Sequence, residues 1–328
     1  MGEFDIIREV LAPLSQGADG AFKLEDDAAL LAESEYVATK DLMVEGVHFL
    51  KQDPLDLVAR KLLRVNLSDL AAKGAQPVGY LLGCVWPLKA TRADIELFAK
   101  GLAEDQKLFR MRLYGGDTTR HVAASGPLTL SATFFGKPAR QGMVRRAGAA
   151  AGDDLYVTGS IGDGGLGLEA LRKPKKFEAL DTEYLISRYR LPEPRIAFGG
   201  ALAGLASAAI DISDGLVADA GHIAEICRVK AEIDASAIPL SPPAREWVES
   251  QPDWNSAMAK IACFGDDYEI LFAAPPSRRR AIEMAGKLTK TTVSKIGVLS
   301  KGESVVLRAD DGEAIDTPDK GFDHFRAV

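Results

Sequence analysis

The sequence predicts an α/β (α+β) protein made of two α/β domains. Three observations carry that reading. Short apolar runs alternate with longer segments of helical apolar spacing, the pattern of helices layered on a sheet. The chain has 328 residues, enough for two cores of ordinary size. A basic connector rich in small residues, 140–152, interrupts the alternation midway, which places the domains at 1–139 and 140–328.

The first half opens with helical spacing of Phe4, Ile7, Val10, Leu11 and Leu14. A Gly-containing loop over 16–23 precedes strands over 27–31 and 36–39. Residues 54–72 read as a long amphipathic helix, with a break expected near Asn66. Residues 79–86 form a buried strand. A helix over 92–109 follows, with Thr91 as its N-cap. Arg112 to Tyr114 leads into Gly115-Gly116-Asp117, and 128–135 is a further strand. In the second half, 154–158 is a strand, followed by a Gly-rich turn and a helix from Gly167. A helix over 192–205, a strand over 208–212 and a helix ending near Cys227 come next. Strands at 231–233 and 269–273 precede an aromatic tail over 319–325.

Composition narrows the function. Hydrophobic content of 47% makes the chain globular, and a net charge of -7 argues against a nucleic-acid partner. The longest apolar stretch, 199–210, is too short and too rich in Ala and Gly to span a bilayer. Three widely spaced cysteines and no signal-peptide pattern point to the cytoplasm.

Aspartate recurs at motif ends. The motifs are Leu24-Glu25-Asp26-Asp27-Ala28, Thr39-Lys40-Asp41, Asn66-Leu67-Ser68-Asp69, Gly115-Gly116-Asp117-Thr118 and Asp211-Ile212-Ser213-Asp214-Gly215. Clustered carboxylates repel one another in a low-dielectric site unless something neutralises them. Hard oxygen ligands without a thiolate or imidazole cluster favour magnesium, and several such ions point to phosphate chemistry on a nucleotide. Bland readings stand beside these: N-capping by Ser213 or Asp214, and a plain strand-to-turn connection at Gly115-Gly116. Gly162-Asp163-Gly164-Gly165-Leu166-Gly167 matches a dinucleotide fingerprint, but no strand ending in an acidic residue follows about twenty positions on.

Together the motifs resemble the thiamine-monophosphate kinases, in the superfamily of aminoimidazole-ribonucleotide synthetase and selenophosphate synthetase. The likeness adds Val44-Glu45-Gly46-Val47-His48-Phe49, Asp267-Tyr268-Glu269 and Lys320-Gly321-Phe322-Asp323-His324-Phe325, and covers nearly the whole chain. It implies an enzyme that moves the ATP γ-phosphoryl group directly onto thiamine monophosphate, aided by several magnesium ions. It implies metal binding at Asp26, Thr39, Lys40, Asp41, Asp69, Asp117, Asp211 and Asp214. ATP contacts fall on Gly116, Asp117, Arg146 and Ser213, and substrate contacts on His48, Asp266 and Phe322. It also implies a homodimer joined through the N-terminal mixed sheets, and a C-terminal sheet packed with helices. No catalytic residue beyond the metal and phosphate ligands is expected.

Three departures from that family stand out. Lys23-Leu24-Glu25 replaces a Gly-Ile-Gly, Lys40 stands where Thr is usual, and Asp266 where Glu is usual. The Lys40 ammonium is expected to take over part of one metal's charge. The rival readings are a sister enzyme acting on another acceptor, a dinucleotide-dependent oxidoreductase and a non-catalytic nucleotide binder. The selenophosphate branch expects an N-terminal reactive Cys, and none occurs before Cys84.

Overall fold

The computed structural model describes residues 7–15, 18–31, 35–178 and 180–317, arranged around two sheets. The first contains β1 (Ala29–Leu31), β2 (Tyr36–Val44), β3 (Ala75–Trp86), β4 (Arg112–Arg120) and β5 (Thr129–Pro138). Their spatial order is β1-β2-β5-β3-β4. Only β3 and β4 run parallel. Helix α2 (Arg92–Phe109) makes the crossover that a parallel pair requires, and it starts at a capping box on Thr91 and Asp94.

Helix α1 (Leu55–Ala72) is a single unbroken element. The break expected at Asn66 is absent because the buried side chain bonds back along the helix, Nδ2 donating to Leu62 O at 2.9 Å. Leu62, Leu67 and Leu70 pack α1 on the first sheet with Val37, Met43, Tyr80 and Phe134. Ala71 and Ala72 enter a different cluster, with Phe198, Ala209 and Phe272 of the second half. Burial on all sides is the mark of an interior helix. Its last turn therefore lies between the two sheets.

The second sheet contains β6 (Asp154–Thr158), β7 (Ala208–Asp211), β8 (Val229–Asp234), β9 (Ile270–Ala274), β10 (Val293–Lys301), β11 (Ser304–Arg308) and β12 (Ala314–Ile315). The order is β12-β11-β8-β10-β6-β9-β7, and only β11 and β8 are parallel. Helices α3 (Asp163–Arg172), α4 (Thr182–Arg190), α5 (Ile196–Leu202), α6 (Leu216–Cys227), α7 (Pro242–Glu249), α8 (Trp254–Cys263) and α9 (Arg279–Thr289) pack with it. Strands β6, β7 and β9 are buried at every residue, so they read as continuous apolar runs.

Several boundaries differ from expectation. The described part of the opening helix is a π turn, Ile7–Leu11, and a 3-10 turn, Ala12–Ser15. Helix α3 starts at Asp163 rather than Gly167, and the helix expected over 192–205 shortens to α5. Gly199 in α5 lies against α1 so closely that a Cβ there would meet Ala71 O at 2.3 Å. The aromatic tail expected over 319–325 lies outside the described residues.

Candidate active site

Alternation along β2 turns Val37, Thr39, Asp41 and Met43 toward α1. Asp69 sits on the last turn of α1. Asp211 closes β7, and Asp26 and Asp27 lie in the loop before β1. These segments meet between the sheets. Carboxylate oxygens of Asp27, Asp69 and Asp211 lie within 4.8 Å of one another. The Thr39 hydroxyl donates to Asp69 Oδ2.

The carboxylates fall into two electrostatic classes. Asp26 and Asp27 have permanent cations. Lys73 Nζ lies 2.8 Å from Asp26 Oδ1 and also contacts Asp27 Oδ2. Arg146 Nε donates to Asp27 Oδ1 at 2.8 Å, and the Arg146 amide to Asp26 Oδ2 at 3.1 Å. Burial raises the Asp27 pKa, but Arg146 and Lys73 outweigh it and bring it down to about 2.

Asp41, Asp69 and Asp211 have no such partner cation. Burial, then the neighbouring Asp211 and Asp27, push Asp41 up to about 7. Burial and Asp27 push Asp211 up to about 6, and burial with Asp41 pushes Asp69 well above the carboxylate range. Asp41 Oδ2 is shut off from solvent and accepts no hydrogen bond. A buried carboxylate oxygen without a donor is costly. Hard oxygens from separate segments, one each of Asp27 and Asp41 without a hydrogen-bond donor, fit a divalent magnesium-like ion.

A second group lies at the start of α6, where Asp214, Asp219 and His222 come within 4.8 Å. Asp219 accepts the amides of Asp214 and Gly215, both at 3.2 Å. Burial drives its carboxyl upward. The loop before β9 runs alongside this terminus, with the Asp266 amide donating to Ser213 O at 2.9 Å. Asp266 Oδ1 meets Lys61 Nζ of α1 at 2.8 Å, and the same ammonium reaches His48 O at 3.1 Å. Lys61 thus joins two residues expected at the substrate end. His48 Nδ1 accepts the Val44 amide at 3.0 Å.

The structure therefore gathers Asp26, Thr39, Asp41, Asp69, Arg146 and Asp211 at one site, with Ser213, Asp214, Asp266 and His48 on its flank. Lys40 and Asp117 lie elsewhere. The register sets Leu42, Ser131, Gly83 and Asp117 in one lateral row, on the face of the first sheet away from α1. Lys40 points to that face, and its ammonium donates to Ser131. Lys40 acts on Asp41 only as a nearby positive charge. Gly116 has a local reason for being glycine, since a Cβ would meet Leu82 O at 1.8 Å. Phe322 lies outside the described residues.

Sequence reasoning missed Lys73, Lys61 and Asp219. A lysine four residues after Asp69 reads as a solvated helical pair, and only the packing of α1 between two sheets buries it. The dinucleotide reading finds no room. Asp267 accepts the Gly162 and Gly164 amides at 2.7 and 3.1 Å, so the chain's own carboxylate fills the helix start that a phosphate would use.

Comparison with known proteins agrees with this geometry. Residues 25–137 match the family model of the AIR synthase related protein, N-terminal domain, and 150–310 match its C-terminal domain. The thiamine-monophosphate kinase of Caulobacter vibrioides is 46% identical over 307 residues, covering 92% of this chain and 85% of that protein. That of Escherichia coli (strain K12) is 37% identical, covering 99% and 98%. Among solved structures, AaThiL complexed with AMPPCP and TMP superposes with a TM-score of 0.83 at 30% identity, covering 99% of this chain and 97% of that one. Thiamine-monophosphate kinase from Stenotrophomonas maltophilia K279a gives 0.76 at 35% identity, covering 94% and 96%.

Proposed function

The chain belongs to the AIR synthase related family, and within it to the thiamine-monophosphate kinases of thiamine diphosphate biosynthesis; from this premise we propose direct in-line transfer of the ATP γ-phosphoryl group to thiamine monophosphate, with several magnesium ions held by the acidic cluster. The observation that carries the reading is the convergence of Asp27, Asp41, Asp69 and Asp211, with one buried oxygen each of Asp27 and Asp41 left without a hydrogen-bond donor. The solved relative complexed with AMPPCP and TMP supports ATP and thiamine monophosphate as the two substrates.

The acceptor is a phosphate monoester with a second pKa near about 6, largely ionised at neutral pH. Its oxygen needs no strong general base, which suits a site rich in Asp. The obstacle is the meeting of two anions. Asp41, Asp69 and Asp211 would hold magnesium, which supplies the neutralising charge when bound. Arg146 adds positive potential beside it. On this reading Thr39, Asp117 and Asp214 complete the metal shell, while Asp26 is already paired with Lys73 and Lys40 adds only its charge, and Gly116, Asp117, Arg146 and Ser213 contact ATP. His48, Asp266 and Phe322 face the acceptor.

Domains of 1–139 and 140–328 and a homodimer belong to the same proposal. The outer face of the first sheet supports the dimer: Leu42, Leu81, Leu113 and Tyr114 are exposed there and on its edge strand, beside Asp117. A second copy packed on that face would enclose Asp117. No helix among the described residues is long and apolar enough to cross a membrane, and we place the enzyme in the cytoplasm.

The test is purified protein with magnesium-ATP and thiamine monophosphate, following thiamine diphosphate by thiochrome fluorescence. Asp117→Asn should abolish turnover and leave the circular dichroism unchanged. Normal turnover in that variant would remove Asp117 from the metal set.

A further inference from the structure

We propose that the Lys73 ammonium is a built-in cation of the catalytic cluster, seated between Asp26 and Asp27 where a divalent ion would otherwise bind. The inference rests on the magnesium-binding cluster proposed above and concerns which of its positions an ion fills.

Lys73 caps the C-terminus of α1, four residues beyond Asp69, and is fully buried. Its Nζ donates to Ala209 O at 2.8 Å, lies 2.8 Å from Asp26 Oδ1 and is in charge contact with Asp27 Oδ2. Two carboxylates and a backbone carbonyl are the donor set a hard divalent ion takes. Asp26 Oδ1 and Ala209 O stand 2.8 Å from the nitrogen, wider than the roughly 2.0–2.1 Å shell of magnesium. The cradle is thus sized for the ammonium. The second oxygen of each carboxylate is also taken. Asp26 Oδ2 accepts from Arg145 and the Arg146 amide, and Asp27 Oδ1 from Arg146. Every carboxylate oxygen of this pair thus faces a cation or an amide, Asp27 Oδ2 through charge contact with Lys73 alone. Asp41 Oδ2 likewise has no hydrogen-bond donor and, unlike Asp27 Oδ2, makes no ion pair among the described residues.

The consequence is a division of labour. One charge of the cluster is supplied covalently and permanently by α1, and magnesium is recruited on the Asp41, Asp69 and Asp211 side. Lys73 is a positioning residue: it fixes the Asp26–Asp27 loop and Ala209 of β7 around the site whether or not ions are present. This is the role that the sequence assigned to Lys40, whose side chain leaves from the other face of β2.

The experiment counts ions. Full-length, metal-stripped protein is titrated with manganese, following free ion by electron paramagnetic resonance, for the wild type, Lys73→Met and Lys73→Arg. Lys73→Met should bind about one more ion per chain than the wild type, and Lys73→Arg the wild-type number. In chelator, Lys73→Met should melt at lower temperature, and millimolar magnesium should restore more of its stability than the wild type gains. A folded Lys73→Met that binds the wild-type number of ions overturns the proposal. So does a melting deficit equally large with and without magnesium, which would make Lys73 a structural pin alone. Failure to fold even in magnesium also overturns it, because an ion then cannot replace the ammonium. If the wild type binds no manganese, the cluster reading falls too; if only the count is unchanged, the Lys73 inference falls by itself.

Discussion

At the scale of single residues, the cluster separates stability from activity. Asp69 is buried among like charges, and its carboxyl is pushed upward by burial and by Asp41. Asp69→Asn removes an ionisable group whose charged form the metal-free fold disfavours. It should raise the melting temperature in chelator, by about 1–3 kcal/mol of stability, and lower turnover by at least about 100-fold. Denaturant melts and the thiochrome assay check the two arms. An unchanged or lowered stability in chelator would contradict the electrostatic account. The loop before β1 has the same functional character. Phe22, Lys23 and Leu24 all take positive φ, of 50°, 57° and 61°, and of these only Lys23 stands where the resembling family has glycine. These side chains hold a left-handed backbone at a cost of roughly 1–3 kcal/mol each. The Arg145 guanidinium lies 3.6 Å from the centre of the Phe22 ring and braces the loop while it holds Asp26.

At the scale of elements, glycines set how closely the pieces pack. Gly164 lies in the first turn of α3, where a Cβ would meet Asp266 O at 2.2 Å. Gly164→Ala must push the 264–268 loop away from α3. It should cost about 1–3 kcal/mol and weaken thiamine monophosphate binding more than ATP binding, because Asp266 moves with the loop. Calorimetric binding of each substrate tests this, and equal losses would break the link between the helix start and the acceptor end. The Gly-rich motif was visible in the sequence, but its reason was not. The glycines admit the chain's own backbone, and a local pattern cannot say which backbone approaches. The first sheet was readable because its strands are bounded by turns and two of them, β2 and β5, alternate in burial. Helices α7, α8 and α9 and strands β10 and β11 were missed. Their apolar positions are spaced for packing on a sheet whose strands lie far away in sequence. At the site, the recurrent Asp motifs located the cluster. Lys73 could not be found from spacing, because a lysine after an amphipathic helix normally lies in solvent.

At the scale of the whole molecule, protons and ions compete for one set of oxygens. Asp41 at about 7 and Asp211 at about 6 hold protons in the metal-free fold that the unfolded chain, with Asp near about 3.9, has released. The folded state binds more protons between about pH 4 and pH 7, so these groups make stability fall as pH rises through that window. His222, lowered to about 4 by burial and Arg146, works in the opposite direction over part of the range. Comparing melts of the wild type and Asp41→Asn at pH 5 and pH 8 isolates the carboxylates. In chelator the wild type should lose more stability than the variant on going to pH 8, and magnesium should stabilise it most at pH 8. A variant that loses as much as the wild type would count against the coupling. The exposed outer face of the first sheet gives a second expectation. Leu113→Glu should lower the sedimentation coefficient from dimer to monomer, and an unaffected dimer would place the contact elsewhere. The chain order of the cluster has a further consequence, for synthesis. Asp27, Asp41 and Asp69 leave the ribosome early, but Asp211 follows only after β7 has been made. A nascent polypeptide that stops short of β7 lacks part of the ion cage, so premature termination products should be unable to use ATP wastefully.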